Sequence, residues 1–194
     1  MNRLFAIIFA VLLLLLLSFL LLLCLLLAAV DTQSNGLFFQ KRIGRYGKPF
    51  TVYKLMTMHA KTGHKSIFGT WLRKTKIDEL PQLINIIKGD MSFVGPRPDV
   101  AGYADQLTGS DCLLLSVRPG VTGLASLKYK NEEALLAKQT DPKQYNDEVI
   151  WPDKVQLNNW YVKNKTLKMD LEIIFYTLLP IDFDVDKYRN SKSI

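Results

Sequence analysis

From Leu4 to Val30 the chain carries no charged residue, and its only polar hydroxyl is Ser18. A helix over that run would extend about 40 Å, against a hydrocarbon core of about 30 Å. The apolar core of a secretory signal, roughly 7–15 residues, is too short to match it. The helix either spans a bilayer with tilt or breaks near Ser18 and returns to the side it entered. The stretches on either side of Ser18 would reach only about 21 and 18 Å. A serine hydroxyl can back-bond to a carbonyl one turn earlier and bend a helix, but it does not force a break as proline does. These residues alone therefore favour one continuous spanning helix.

Beyond the leader the pattern shortens. Leu37–Ile43 and Phe50–Met56 read as two strands joined by a turn containing Gly44 and Gly47. Residues 59–70 read as a loop, and 75–88 as a short amphipathic helix. Two loops follow, Gly/Pro-rich over 89–100 and then Val117–Leu124. Helical patterns run through about 131–139, 152–164 and 168–179. The last has enough apolar surface to touch a membrane interface as well as a core. The fold class is α+β: a membrane helix (1–31), re-entrant or spanning, then a small domain of mixed helices and short strands (32–194) with amphipathic interfacial helices.

Composition adds a constraint of compartment. The two cysteines, Cys24 and Cys112, cannot build a disulfide framework. The net charge of +7 is unevenly spread: ten basic residues and no acidic one lie between Thr32 and Ile77. A one-signed block directly after a lipid-soluble segment is expected against anionic headgroups, on the cytoplasmic face. It also attracts phosphorylated substrates. The chain shows no recognisable nucleic-acid module, so nucleic acid is not an expected partner. The Gly-rich lysine loop of nucleotide hydrolases and the GxGxxG, GxSxG and HExxH motifs do not occur, which removes support for four common chemistries.

The most informative stretch is Arg73-Lys74-Thr75-Lys76-Ile77-Asp78-Glu79-Leu80-Pro81-Gln82-Leu83. Thr75 and Asp78 have the spacing of a capping box, which would give Asp78 a purely structural role. Against that, Asp78 and Glu79 are adjacent carboxylates at an expected helix N-terminus, where the dipole keeps them ionised and favours bound phosphate. Arg73, Lys74 and Lys76 supply more positive charge than a cap requires. Ionised carboxylates can hold Mg²⁺ against phosphate oxygens, and one of them can attack phosphorus. In Pro96-Arg97-Pro98 the flanking prolines restrict the backbone and present the guanidinium for bidentate phosphate binding. Arg118, before Pro119-Gly120, is a second such candidate.

At these residues the sequence resembles the bacterial sugar transferase family, the monotopic phosphoglycosyl transferases. The likeness runs through Phe38-Phe39-Gln40-Lys41-Arg42-Ile43-Gly44, Lys54-Leu55-Met56-Thr57-Met58 and Leu72-Arg73-Lys74-Thr75. It continues through Asp78-Glu79-Leu80-Pro81-Gln82-Leu83, Gly89-Asp90-Met91-Ser92-Phe93-Val94-Gly95-Pro96-Arg97-Pro98 and Arg118-Pro119-Gly120-Val121-Thr122-Gly123-Leu124. It looks like the minimal form, a catalytic domain with its membrane hairpin.

The resemblance implies transfer of a sugar phosphate from a UDP-sugar to undecaprenyl phosphate with release of UMP. That step begins surface-glycan assembly at the cytoplasmic face of the bacterial inner membrane. It makes Asp78 the nucleophile, with Glu79 and Mg²⁺ at the same site, and Lys54, Arg73 and Arg97 phosphate-binding. Partners are then UDP-sugar, undecaprenyl phosphate and anionic lipids, with self-association left open. Two departures stand out. The family's leader is usually broken by a Ser-Pro pair, where this chain has Ser18-Phe19, and an arginine is common where this chain has Met56. The competing expectations are a membrane-anchored protein that binds anionic lipid without catalysis and an inactive scaffold of a glycan-assembly complex.

Overall fold

The computed structural model describes residues 3–179, 181 and 183–191. Its contacts group them into two units. One comprises the residues up to Gly44 with Lys48–Met91; the other comprises Arg45–Gly47 with the chain from Ser92 onward.

In the first unit the leader is two helices, α1 (Arg3–Leu16) and α2 (Ser18–Thr32), bent by 64° at Leu17. No single helix among the described residues is long and apolar enough to cross a membrane, which corrects the preference for a continuous span. The break forms without proline. Ser18 Oγ donates to the Leu15 carbonyl at 2.8 Å, and Leu17 adopts φ −95°, ψ 4°, off the helical values. Small residues mark the inward stripes, Ala6 and Ala10 on α1, Cys24 and Ala28 on α2, all spaced by four. The Arg3 guanidinium donates to the carbonyls of Ile86 and Ile87 at 2.5 and 3.0 Å. At the other end the Thr32 carbonyl accepts from Ala60 N at 3.0 Å. Both ends of the pair are thus held by one unit.

The expected strands form an antiparallel hairpin, β1 (Leu37–Ile43) and β2 (Pro49–Leu55), with Phe38 opposite Lys54. The expected loop over 59–70 ends early, because Ser66 caps a helix α3 (Ile67–Thr75) by accepting from Gly69 N at 2.9 Å. The single helix expected over 75–88 is divided. Lys76 takes a left-handed conformation (φ 59°) that ends α3; a 3₁₀ turn (Ile77–Glu79) and then α4 (Gln82–Lys88) follow. Leu55 and Leu72 pack with Cys24 and Ala28, so the leader shares a core with the hairpin and α3. Fully buried Asn85 ties α4 to β2: its Nδ2 donates to Thr51 O (2.7 Å) and its Oδ1 accepts from Tyr53 N (3.2 Å).

In the second unit the two expected loops each contain a short strand, β3 (Ser92–Val94) and β4 (Gly120–Thr122), paired in parallel. Short helices α5 (Leu124–Lys128), α6 (Glu132–Leu136) and α7 (Pro142–Tyr145) follow. Then come α8 (Trp151–Asn164), α9 (Leu167–Leu178) and α10 (Val185–Ser191). The core joins Val94, Leu124, Leu157, Tyr161 and Ile173. Buried Asp170 accepts a hydrogen bond from Tyr161 OH at 2.6 Å, which joins α8 to α9. On α9, Ile173 is buried while Leu171, Phe175 and Leu178 are exposed, so the helix contributes to the core and leaves an apolar outer face.

Candidate active site

The carboxylate pair sits where α3 gives way to α4. Thr75 is the last residue of α3, and its Oγ1 donates back to the Trp71 carbonyl at 2.9 Å; it caps nothing that follows. The capping-box expectation for Asp78 is therefore wrong. The physical reason is the left-handed Lys76, which starts a new turn after Thr75 instead of continuing one helix. Asp78 and Glu79 occupy the 3₁₀ turn ahead of α4, and both are buried.

Each neighbour is placed by a traceable local cause. Lys54 stands on β2, on the face it shares with Phe38, and its Nζ lies 3.0 Å from Glu79 Oε1. Gly69 lets α3 approach the chain after β2 closely: a Cβ there would lie 2.2 Å from the Thr57 carbonyl oxygen. One turn further on, Arg73 reaches the same segment, with Nε donating to Thr57 Oγ1 at 3.0 Å and Nη2 to Met58 Sδ at 3.6 Å. Buried Thr57 thus orients Arg73, a role the sequence did not single out, although Thr57 stands inside the 54–58 motif. Lys54, Arg73, Asp78 and Glu79 all belong to the first unit.

Electrostatics distinguish the two acids. Burial pushes the Asp78 carboxyl above the ordinary aspartate range and the Glu79 charge adds to the rise, while Lys54, Lys76 and Arg73 pull it down. Desolvation in the turn is the largest of these effects, and it opposes the helix-dipole contribution expected for Asp78. Asp78 Oδ1 is buried and has no hydrogen-bond partner among the described residues. A buried acceptor left without a donor is costly, about 1–3 kcal/mol, and calls for a ligand. Magnesium binds through one or two carboxylates together with substrate phosphate oxygens. Asp78 with Glu79 fits that donor set; no group of three or more potential metal ligands occurs among the described residues.

Arg97 and Arg118 belong to the second unit. The two loops that carry them are fastened main chain to main chain. Gly95 N donates to Thr122 O (3.0 Å) and Gly120 N to Pro96 O (2.9 Å). A Cβ on Gly120 would lie 2.2 Å from Gly95 N, and one on Gly123 2.2 Å from Gly95 O. No side chain fits between these segments, which accounts for glycine in both motifs. Arg97 is exposed, and its Nη1 donates to the Val121 carbonyl at 3.2 Å. Arg118 is half-buried, two residues ahead of β4. The structure therefore brings together the two acids with Lys54 and Arg73 in one unit, and the loops of Arg97 and Arg118 in the other.

The family model for bacterial sugar transferases matches residues 1–181. The chain is 36% identical over 151 residues to the uncharacterized sugar transferase EpsL of Bacillus subtilis (strain 168), covering 73% of this chain and 67% of that one. It is 32% identical over 168 residues to an undecaprenyl-phosphate galactose phosphotransferase of Salmonella typhimurium, covering 73% of this chain and 32% of the relative. To a UDP-glucose:undecaprenyl-phosphate glucose-1-phosphate transferase of Escherichia coli (strain K12) it is also 32% identical over 168 residues, covering 77% and 34%. The chain thus spans about a third of the length of these last two relatives. Together with the carboxylate turn and its basic neighbours, this match shows that the chain belongs to the bacterial sugar transferase family.

Proposed function

We propose that the chain transfers a sugar 1-phosphate from a UDP-sugar to undecaprenyl phosphate, releasing UMP and initiating glycan assembly. The relatives' activities support the overall reaction. The observation that carries the finer reading is Asp78: a buried carboxylate with an unpartnered oxygen beside a second carboxylate engaged by Lys54.

In the first half-reaction an Asp78 oxygen attacks the β-phosphorus of the UDP-sugar. The bond from that phosphorus to the bridging oxygen breaks, and UMP leaves with the oxygen and its electron pair. A phosphate oxygen of undecaprenyl phosphate then attacks the same phosphorus. The bond to Asp78 breaks, and the carboxylate is restored. The acceptor, a phosphate monoester with a second pKa near 6, is already largely ionised at neutral pH and needs little general-base help. The difficulty is assembling anions, so cationic groups matter more than a strong base. Arg73, held on Thr57, and Lys54 bind phosphate oxygens; Arg97 and Arg118 are the phosphate-binding candidates of the second unit. Asp78 and Glu79 would hold Mg²⁺, which when bound neutralises phosphate charge.

The leader supports a membrane setting. Helices of about 21 and 22 Å are each too short to cross, and their outer ends are held by one unit. Bent at 64° with both ends at one surface, the pair reaches about 11 Å deep, within a single leaflet. The chain then enters and leaves the inner membrane on the cytoplasmic side, where the basic block meets anionic lipid.

The test is release of UMP by the purified protein with UDP-glucose, UDP-galactose and their N-acetylated counterparts, plus undecaprenyl phosphate and Mg²⁺. One of these donors yields UMP with the wild type and none with Asp78→Asn. Turnover by Asp78→Asn near the wild-type rate would remove Asp78 from the chemistry. Binding of phosphate lipid without any UMP release would favour the non-catalytic anchor instead.

A further inference from the structure

Of the ten basic residues between Thr32 and Ile77, Arg45 alone belongs to the second unit. It stands at the tip of the β1–β2 hairpin, half-buried, and its Nε donates to the Ser116 carbonyl at 2.8 Å. Its guanidinium also lies over the ring of Tyr46, with Cζ 4.4 Å from the centroid.

Tyr46 is a costly residue at this place. Its φ of 59° and ψ of 29° are left-handed, where a bulky side chain is an outlier; asparagine or glycine would be less strained. Burial does not compensate, because Tyr46 is 63% exposed. What the ring does is hold the Arg45 guanidinium by its face. Backbone strain of this kind gathers at ligand clamps.

Arg45 is thus fixed by Nε and by its face, while its Nη1 and Nη2 have no hydrogen-bond or carboxylate partner among the described residues. A guanidinium held in one place with that edge unpaired is preorganised for two oxygens of a phosphate. Its anchor is well chosen for that task. Ser116 precedes Arg118 by two residues, and Gly120 N donates to the carbonyl of Pro96, next to Arg97, at 2.9 Å. Arg45, Arg97 and Arg118 therefore stand on one hydrogen-bonded group of segments.

We propose that Arg45 is a further substrate-binding residue, its Nη groups taking a phosphate oxyanion beside the Arg118 loop. The oxyanion belongs to the donor diphosphate or to the lipid phosphate; the chemistry is shared, and the substrate whose affinity changes tells them apart. The assignment rests on the transfer reaction proposed above and adds a residue to it.

The test compares full-length wild type, Arg45→Gln and Arg45→Lys in detergent, by calorimetric titration with UDP and with undecaprenyl phosphate, and by UMP release. Arg45→Gln weakens binding of one of the two ligands by about fivefold or more, raises the matching KM alike, and leaves kcat within about twofold. Loss of UDP affinity assigns the donor phosphate, and loss of lipid affinity the acceptor phosphate. Arg45→Lys, which keeps the charge but neither Nε nor the planar fork, restores less than half of the loss. Full restoration by lysine overturns the guanidinium site. A fall in kcat and Tm with both affinities intact makes Arg45 a structural tie to Ser116 and overturns it too. If Arg45→Gln does not fold, Tyr46→Asn replaces it, removing ring and strain but no charge: weaker binding of either ligand supports the site, and unchanged binding overturns it. The two readings fail separately. UMP release with ligand affinities indifferent to Arg45→Gln overturns the Arg45 site alone. UDP binding that depends on Arg45, without UMP release from any UDP-sugar, overturns the transfer reaction and leaves a phosphate site. Wild type that binds neither ligand overturns both.

Discussion

Lys54 Nζ lies 3.0 Å from Glu79 Oε1, while Asp78, the next residue back, keeps a buried oxygen without a partner among the described residues. One acid of the pair is thus tied to a cation and the other is left for a ligand. Lys54→Met should act on both. Glu79 loses its ion-pair partner at a nearly buried site, costing about 1–3 kcal/mol, readable by denaturant unfolding. Asp78 loses a charge that lowers its pKa, so the acidic limb of the rate profile moves to higher pH.

The stability of Asp78 itself has a definite sign. Its pKa is raised in the folded state, so folding disfavours the ionised form. The stabilisation from this group is present in acid and lost as pH rises through the folded value. Asp78→Asn should therefore be more stable than wild type at neutral pH, by about 1 kcal/mol, even as it loses activity. Thermal unfolding would show a Tm higher by about 2–4 °C, with the gain shrinking in acid. A lower Tm at neutral pH would contradict a desolvated carboxylate at this position.

The glycine contacts between the two arginine loops predict a sharp local intolerance. Gly123→Ala places a Cβ 2.2 Å from the Gly95 carbonyl oxygen, against main-chain atoms of Gly95 with no flexible side chain to yield. The loops must separate, at about 1–3 kcal/mol. Binding of UDP-sugar should weaken more than the loss of Tm explains. Gly47→Ala, where a Cβ meets nothing within 4 Å, is a control for strain at a left-handed glycine (φ +71°).

The bent leader makes a topological prediction. A tag placed ahead of Arg3 should stay on the same side of the membrane as the catalytic residues, inaccessible to protease added outside intact cells. Cleavage of that tag from outside would restore the spanning helix.

Much of this was legible in the chain. Two extended runs joined by a turn with two glycines marked the β1–β2 hairpin, and helical patterns marked α8 and α9. Tertiary context decided what was missed. The break at Leu17 carries no proline, and its one local signal, Ser18, is equally at home inside a straight helix. The division between α3 and α4 turns on Lys76, a residue type with no left-handed preference, which stands there because Leu72 and Ile77 both enter the core with Leu55. Strands of three residues, as in β3 and β4, are too short to show a pattern against the glycines and prolines around them. At the site, residue types and order indicated Asp78, Glu79 and Arg73, and the family resemblance added Lys54. The raised pKa of Asp78 was not readable, because it depends on burial in a turn that the sequence placed at a helix start.

The central claim is a covalent bond between Asp78 and phosphorus. Incubating the protein with its UDP-sugar and Mg²⁺ in the absence of polyprenyl phosphate, then quenching in acid and mapping peptides by mass spectrometry, tests it most directly. The account predicts a sugar-phosphate adduct on the peptide containing residue 78, formed with one equivalent of UMP and discharged when undecaprenyl phosphate is added. Full turnover on addition of the lipid, with no adduct at residue 78 beforehand and no early UMP, would contradict it.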